Sequence, residues 1–126
     1  MRIYLSGPMR SEPDMGRTAF ARAAAALRGQ GHVVYAPTEE DGGDAREGDA
    51  VRLAFAEGMD RLCCHADGVV VLPGWRSSRG ARAEVSTALA LDIPVWPLTK
   101  FLLGGEDAPR IASSDRMLGL FFKDPE

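Results

Sequence analysis

The fourteen residues "LPGWRSSRGARAEV", Leu72 to Val85, carry the strongest chemical suggestion in the chain. They begin as the end of an apolar strand, pass through a loop of Gly, Ser and Arg with one Trp, and finish inside a helix bearing Glu84. On a helical wheel Ala81, Val85, Ala88 and Leu89 form the apolar face, and Glu84 falls at or inside its edge. A glutamate is rarely buried unless it is paired or functional. The plain alternative is an acid that favours the positive end of its helix and reaches solvent. The loop tips the balance: Ser77, Ser78 and Gly80 at a helix start offer hydroxyls and backbone N–H groups, the ingredients of a phosphate cradle. A half-buried carboxylate beside an anion site describes a nucleotide pocket, although "RSSRG" also reads as a solvated loop.

The elements that must position these residues alternate along the chain. "RIYLSG" is a strand ended by Gly7-Pro8, and residues 16–28 form a helix with Phe20, Ala23, Ala24 and Leu27 on one stripe. "HVVYAP" is a second strand, and residues 38–49 form an acidic, Gly-rich surface loop. A helix over 49–64 places Val51, Phe55, Met59 and Leu62 on one side, with Asp49 at its N-cap. "GVVVLP" shows no alternation, as expected of a central strand covered on both faces. A third helix spans 80–91, "IPVWPL" is a fourth strand, and "SDRMLGLFF" suggests a helical segment near the end. This order predicts a single α/β domain over 1–126, a parallel-sheet, Rossmann-like (flavodoxin-like) three-layer sandwich. Its core covers about residues 1–98, with an extension over 99–126. Ligands in such sheets bind beyond the carboxyl ends of the strands, which selects the loops 7–15, 38–48 and 73–80.

Composition narrows the function classes. The net charge of −3 and scattered basic residues give no footprint for a nucleic-acid polymer or an anionic membrane. No apolar run is long enough to span a bilayer, and "MRIYLS" does not read as a signal peptide, so a cytoplasmic setting is expected. Cys63 and Cys64 are adjacent and offer no disulfide framework. "CCHAD" lacks the ligand number and spacing of a closed zinc site, and a Cys–His nucleophile built on neighbouring helix positions cannot easily aim. No metal or organic cofactor is implied.

Three segments carry a family resemblance: "MRIYLSGPM", "PDMGRTAFARAAAALRGQGHVV" and "ADGVVVLPGWRSSRGARAEVSTALALDIPVW". Together they resemble a small bacterial and phage family that looks like a branch of the nucleoside 2-deoxyribosyltransferase superfamily, which also holds the 2'-deoxynucleoside 5'-phosphate N-hydrolases. The resemblance implies that Glu84 attacks the anomeric carbon of a nucleotide and forms a covalent glycosyl-enzyme ester, as in retaining glycosyl transfer. It further implies that Ser78 and Gly80 hold a 5'-phosphate and that Tyr4 lies near the sugar and Glu84. The loop after the first strand, Ser6, Gly7, Pro8, Met9 and Arg10, would line the base and phosphate. Members are typically homo-oligomers, and a homodimer or larger assembly is expected.

The chain departs from the superfamily pattern at several points. The expected acid, about eight residues ahead of Asp67, falls on Met59, with Asp60 one step away. Asp60 would protonate the leaving base or orient the ribose. Glu57, or no second acid at all, are the alternatives. Arg82 stands where some relatives have a small residue, and "YAP" ends the second strand where a polar residue is expected. Trp75 is expected at the pocket or its rim, stacking on a base, with packing against a second subunit as the other reading. The resulting expectation is hydrolysis or base exchange of a (deoxy)nucleoside 5'-monophosphate. The alternative is a non-catalytic nucleotide sensor on the same fold. The lysine-decarboxylase-like phosphoribohydrolases share a similar loop, but the short chain and "IYLSGPM" argue against them.

Overall fold

The computed structural model describes residues 1–40 and 49–112. Four strands form one sheet: β1 (Arg2–Ser6), β2 (Val33–Tyr35), β3 (Gly68–Val71) and β4 (Val95–Pro97). Among the described residues five α-helices accompany them: α1 (Arg17–Gly29), α2 (Pro37–Glu40), α3 (Asp49–His65), α4 (Arg79–Ala90) and α5 (Leu98–Gly104). All strand pairs are parallel, in the order β2-β1-β3-β4. The fold is the predicted α/β sandwich in a single domain.

Strand alternation divides the core into two layers. Ile3, Leu5, Val34, Val70, Leu72 and Trp96 pack with α1 and with Phe101 of α5. Tyr4, Val69, Val71 and Val95 face the other way and pack with Leu62 of α3 and with Ala81, Val85 and Ala88 of α4. The chain leaves β1 over one face and returns to its neighbour β3 over the other, which opens a crevice at the carboxyl ends of these two strands. β3 is buried at all four residues, as its unbroken apolar run predicts.

Helix α1 buries the predicted Phe20, Ala23, Ala24 and Leu27. Asp14 secures its start, accepting from the N–H groups of Gly16 and Thr18. The first residues of the expected 38–49 loop form the short α2, tied to α1 by a two-pronged ion pair between Arg28 and Glu39, and residues 41–48 of that loop lie outside the described residues. Arg28 also donates to the Val34 carbonyl at 2.8 Å, which fixes the end of β2. Past β4, α5 and the segment to Ile111 close the sheet edge: Trp96 Nε1 donates to the Ala108 carbonyl, and the Ile111 N–H to that of Val95. The suggested helix "SDRMLGLFF" lies outside the described residues. Among the described residues no helix is long and apolar enough to cross a membrane.

Helix α3 departs most from its helical wheel. Of its seventeen residues only Gly58 and Leu62 are buried. Val51 and Met59 are half-buried and Phe55 is exposed, because the N-terminal half of the helix borders the crevice rather than the core.

Candidate active site

Tyr4 and Ser6 are two apart on β1 and therefore share a face of the sheet. That face is the one covered by α4, and Glu84 descends from α4 between them. Tyr4 Oη donates to Glu84 Oε2 at 2.5 Å, and Ser6 Oγ donates to Glu84 Oε1 at 2.7 Å. Both oxygens of the carboxylate are thus held by hydroxyl donors from one strand. Tyr4 is 1% exposed and stacks on Tyr35 with ring centroids 5.2 Å apart, so its ring cannot swing away.

Burial pushes the Glu84 carboxyl above the usual carboxylate range, and the two hydroxyls pull against that rise. Burial, and then the neighbouring Glu84 charge, push the Tyr4 phenol far above its ordinary value. Tyr4 therefore stays protonated and remains the donor. Glu84 keeps part of its side chain open to a cleft of about 550 Å³ at the carboxyl end of the sheet.

This cleft has two kinds of wall. Ser77, Ser78, Arg79 and Gly80 form a polar, cationic margin at the start of α4, and Arg10 and Ser11 of the loop after β1 also line the cleft. Tyr35, Pro37, Val51, Ala54 and Phe55 form an apolar one. Glu84 and Glu57 are the two carboxyl residues among the described lining.

The structure brings together Tyr4, Gly7, Met9, Arg10, Ser78, Gly80 and Glu84 of the predicted site. Ser6 is buried beneath the cleft and reaches it through Glu84. Ser78 is the N-cap of α4, its hydroxyl oxygen accepting from the Ala81 N–H at 3.2 Å, which leaves the hydroxyl proton to donate. Gly7 is required by packing, since a Cβ there would lie 2.8 Å from that of Leu72.

Three predicted residues are placed elsewhere. Pro8 is buried and lies under Gly74. Trp75 is not at the rim: it is 7% exposed in the layer beneath α4, with the Arg76 guanidinium over its ring. The turn Trp75–Ser77, begun by the left-handed Gly74, rotates the indole inward. Asp60 is turned to solvent, 63% exposed and 3.7 Å from His65. Helical spacing explains this, because Asp60 lies two residues beyond the cleft-facing Gly58 and so points to the opposite side.

Gly58 is the position that sequence reasoning passed over. A Cβ at this residue would sit 2.7 Å from Tyr4 Oη and 3.8 Å from Glu84 Oε2. The signal was available, since a glycine inside a helix costs about 1 kcal/mol relative to alanine and marks a close approach. Among the described residues no group of three His, Cys, Asp or Glu side chains forms a metal-ligand cluster. No curated protein matches the chain. A family model, "Domain of unknown function (DUF4406)", matches residues 1–96, and the chain belongs to that family.

Proposed function

We propose that the protein cleaves the N-glycosidic bond of a (deoxy)nucleoside 5'-monophosphate, with Glu84 as nucleophile. The observation that carries this reading is the Glu84 carboxylate, gripped on both oxygens by Tyr4 and Ser6 at an open cleft. Each oxygen retains a lone pair beyond the one its hydroxyl occupies, so a held oxygen can still attack carbon. The resemblance of "LPGWRSSRGARAEV" and "IYLSGPM" to nucleoside 2-deoxyribosyltransferases supports the same role.

The proposed reaction has two displacements. A Glu84 oxygen bonds to the anomeric carbon as the carbon–nitrogen bond breaks, and the bonding pair leaves with the base. Glu57, which lines the same cleft, would give the base its proton. Water then attacks the same carbon and passes its proton to the Glu57 carboxylate, the glycosyl ester breaks, and Glu84 leaves as a carboxylate, which restores both groups. Tyr4 and Ser6 stabilise the ionised form before attack and again as the ester departs.

The phosphate assignment rests on spacing along α4. Gly80 and Glu84 are one helical turn apart, about 6 Å along the axis, a span that a sugar ring with its 5'-carbon covers. A phosphate at the start of α4 would meet backbone N–H groups, the Ser78 hydroxyl and the Arg10 and Arg79 side chains of the lining. Hydrolysis is preferred to base exchange because this margin suits a nucleotide better than a neutral nucleoside.

The placement of Asp60 outside the cleft favours a second reading, a nucleotide-binding module with little catalysis. One experiment separates the two. Wild type and Glu84→Ala are incubated with ribo- and deoxyribonucleoside 5'-monophosphates, and free base is followed by chromatography. Release by wild type alone supports the enzyme. Binding without release supports the sensor, and neither result removes both readings.

A further inference from the structure

Phe55 is a large aromatic residue 37% exposed on the cleft wall. It belongs to an apolar stripe, Val51, Ala54, Phe55 and Gly58, that follows the i, i+3, i+4, i+7 spacing of a helix face meant for burial. In this fold the stripe faces the cleft instead of the core: Val51 and Ala54 are only half-buried, and all four residues line the opening. Phe55 stands over the start of α4, its Cε1 4.0 Å from the position a Cβ on Gly80 would take. An ordinary surface helix would carry polar residues here, since leaving a Phe side chain in water forgoes much of its hydrophobic stabilisation.

We infer that Phe55 is a binding and specificity residue that stacks on the planar heterocycle of the ligand. The occupant follows from the character of the two walls. The cationic margin of Arg10, Arg79 and the α4 start suits a phosphate, Glu84 marks the sugar, and the apolar remainder must receive the uncharged part of the same molecule. Phe55 gives that region an exposed aromatic face, beside Tyr35 whose own ring is stacked on Tyr4 and covered by the Arg61 guanidinium, and aromatic side chains stack on any nucleobase. This inference rests on the nucleotide reading above and adds how the base is held. It selects ligands by the presence of a flat ring system, independently of the chemistry at Glu84.

The test compares ligands with and without a base. Equilibrium binding of nucleoside 5'-monophosphates and of ribose 5-phosphate is measured for wild type, Phe55→Ala and Phe55→Tyr at 4 °C. Base release is followed in the same samples, and circular dichroism confirms that each variant is folded. Phe55→Ala is expected to weaken nucleotide binding about 5- to 150-fold, the range of base–aromatic stacking, while leaving ribose 5-phosphate affinity unchanged. Phe55→Tyr is expected to stay within about 3-fold of wild type for both ligands. Equal weakening of both ligands by Phe55→Ala, or no weakening of either, overturns the stacking role while nucleotide recognition stands. Failure of wild type to bind any nucleotide overturns the stacking role together with the nucleotide reading.

Discussion

Gly58→Ala sets two physical effects against each other at the centre of the site. In a helix interior the substitution by itself stabilises by up to about 1 kcal/mol. Here the new Cβ would lie 2.7 Å from Tyr4 Oη, about 0.7 Å short of the 3.4 Å at which ordinary contact begins. Tyr4 cannot retreat: its strand is paired on both sides, its ring stacks on Tyr35, and its hydroxyl is tied to Glu84. Helix α3 must move outward or the Tyr4–Glu84 hydrogen bond must give. Overpacking of this kind costs about 1–3 kcal/mol, so the net loss is about 0–2 kcal/mol, a melting temperature lower by up to roughly 10 °C for a chain of this size. Under the proposed function, disturbing a hydrogen bond to a charged group, a loss of about 1.5–3 kcal/mol, is expected to slow base release about 10- to 100-fold. Thermal melts and base-release rates read both quantities on one preparation. A Gly58→Ala protein that melts higher than its parent and releases base at the same rate would refute the reasoning, because helix propensity alone would then account for the change.

Further outcomes follow from the same geometry. Tyr4→Phe and Ser6→Ala each remove a donor that holds Glu84 down against burial, so the acidic limb of the base-release profile shifts to higher pH in both. A pH–rate profile unchanged from wild type would mean that these hydroxyls do not tune Glu84. Because the Glu84 carboxyl is raised in the folded state, the folded protein binds that proton more tightly than the unfolded chain does. Stability associated with it is present below the ordinary carboxylate range and is lost as pH rises through the raised folded value. Glu84→Gln is therefore expected to melt higher than wild type at pH 8, with the gap closing near pH 4, and a gap independent of pH would contradict the burial argument. Trp75→Ala is expected to cost about 3–5 kcal/mol as a core truncation, and the milder Trp75→Phe to lower stability while leaving nucleotide affinity unchanged. Affinity falling with Trp75→Phe at undiminished stability would return Trp75 to the cleft.

Periodicity made the sheet and α1 legible. "GVVVLP", bounded by Gly and Pro, fitted a covered strand, and Phe20, Ala23, Ala24 and Leu27 fell on one helical stripe. Glu84 was legible for a similar reason, as an acid at the edge of an apolar helix face. The contents of the cleft were harder to read because periodicity reports that a face is apolar, not what covers it. The stripe Val51–Phe55 has the spacing of a core face, yet it borders an opening. Trp75 was misplaced because the left-handed Gly74 turns the chain before a wheel or a strand pattern applies. Asp60 was sought by its distance from Asp67 along the chain, whereas the face that meets Tyr4 is set by the packing of α3 on β1.

The two-residue period of β1 links fold to chemistry more directly than any motif does. Leu5 is directed into the layer under α1, and the same alternation directs Tyr4 and Ser6 toward α4. A shift of one residue in the register of β1 would exchange these roles, placing Leu5 against Glu84 and two hydroxyls in an apolar layer. The pairings of Ile3 with Gly68 and Ser6 with Val71 on one side, and of Ile3 with Val34 on the other, exclude that shift. The carboxylate is therefore held by the same contacts that close the core. The room beside it is kept by Gly58, whose missing side chain lets the phenol fill the gap between α3 and α4. A site assembled this way can alter its ligand contacts through Phe55 without disturbing the group that would do the chemistry, since Phe55 lines the cleft from α3 and takes no part in the hydrogen bonds that hold Glu84.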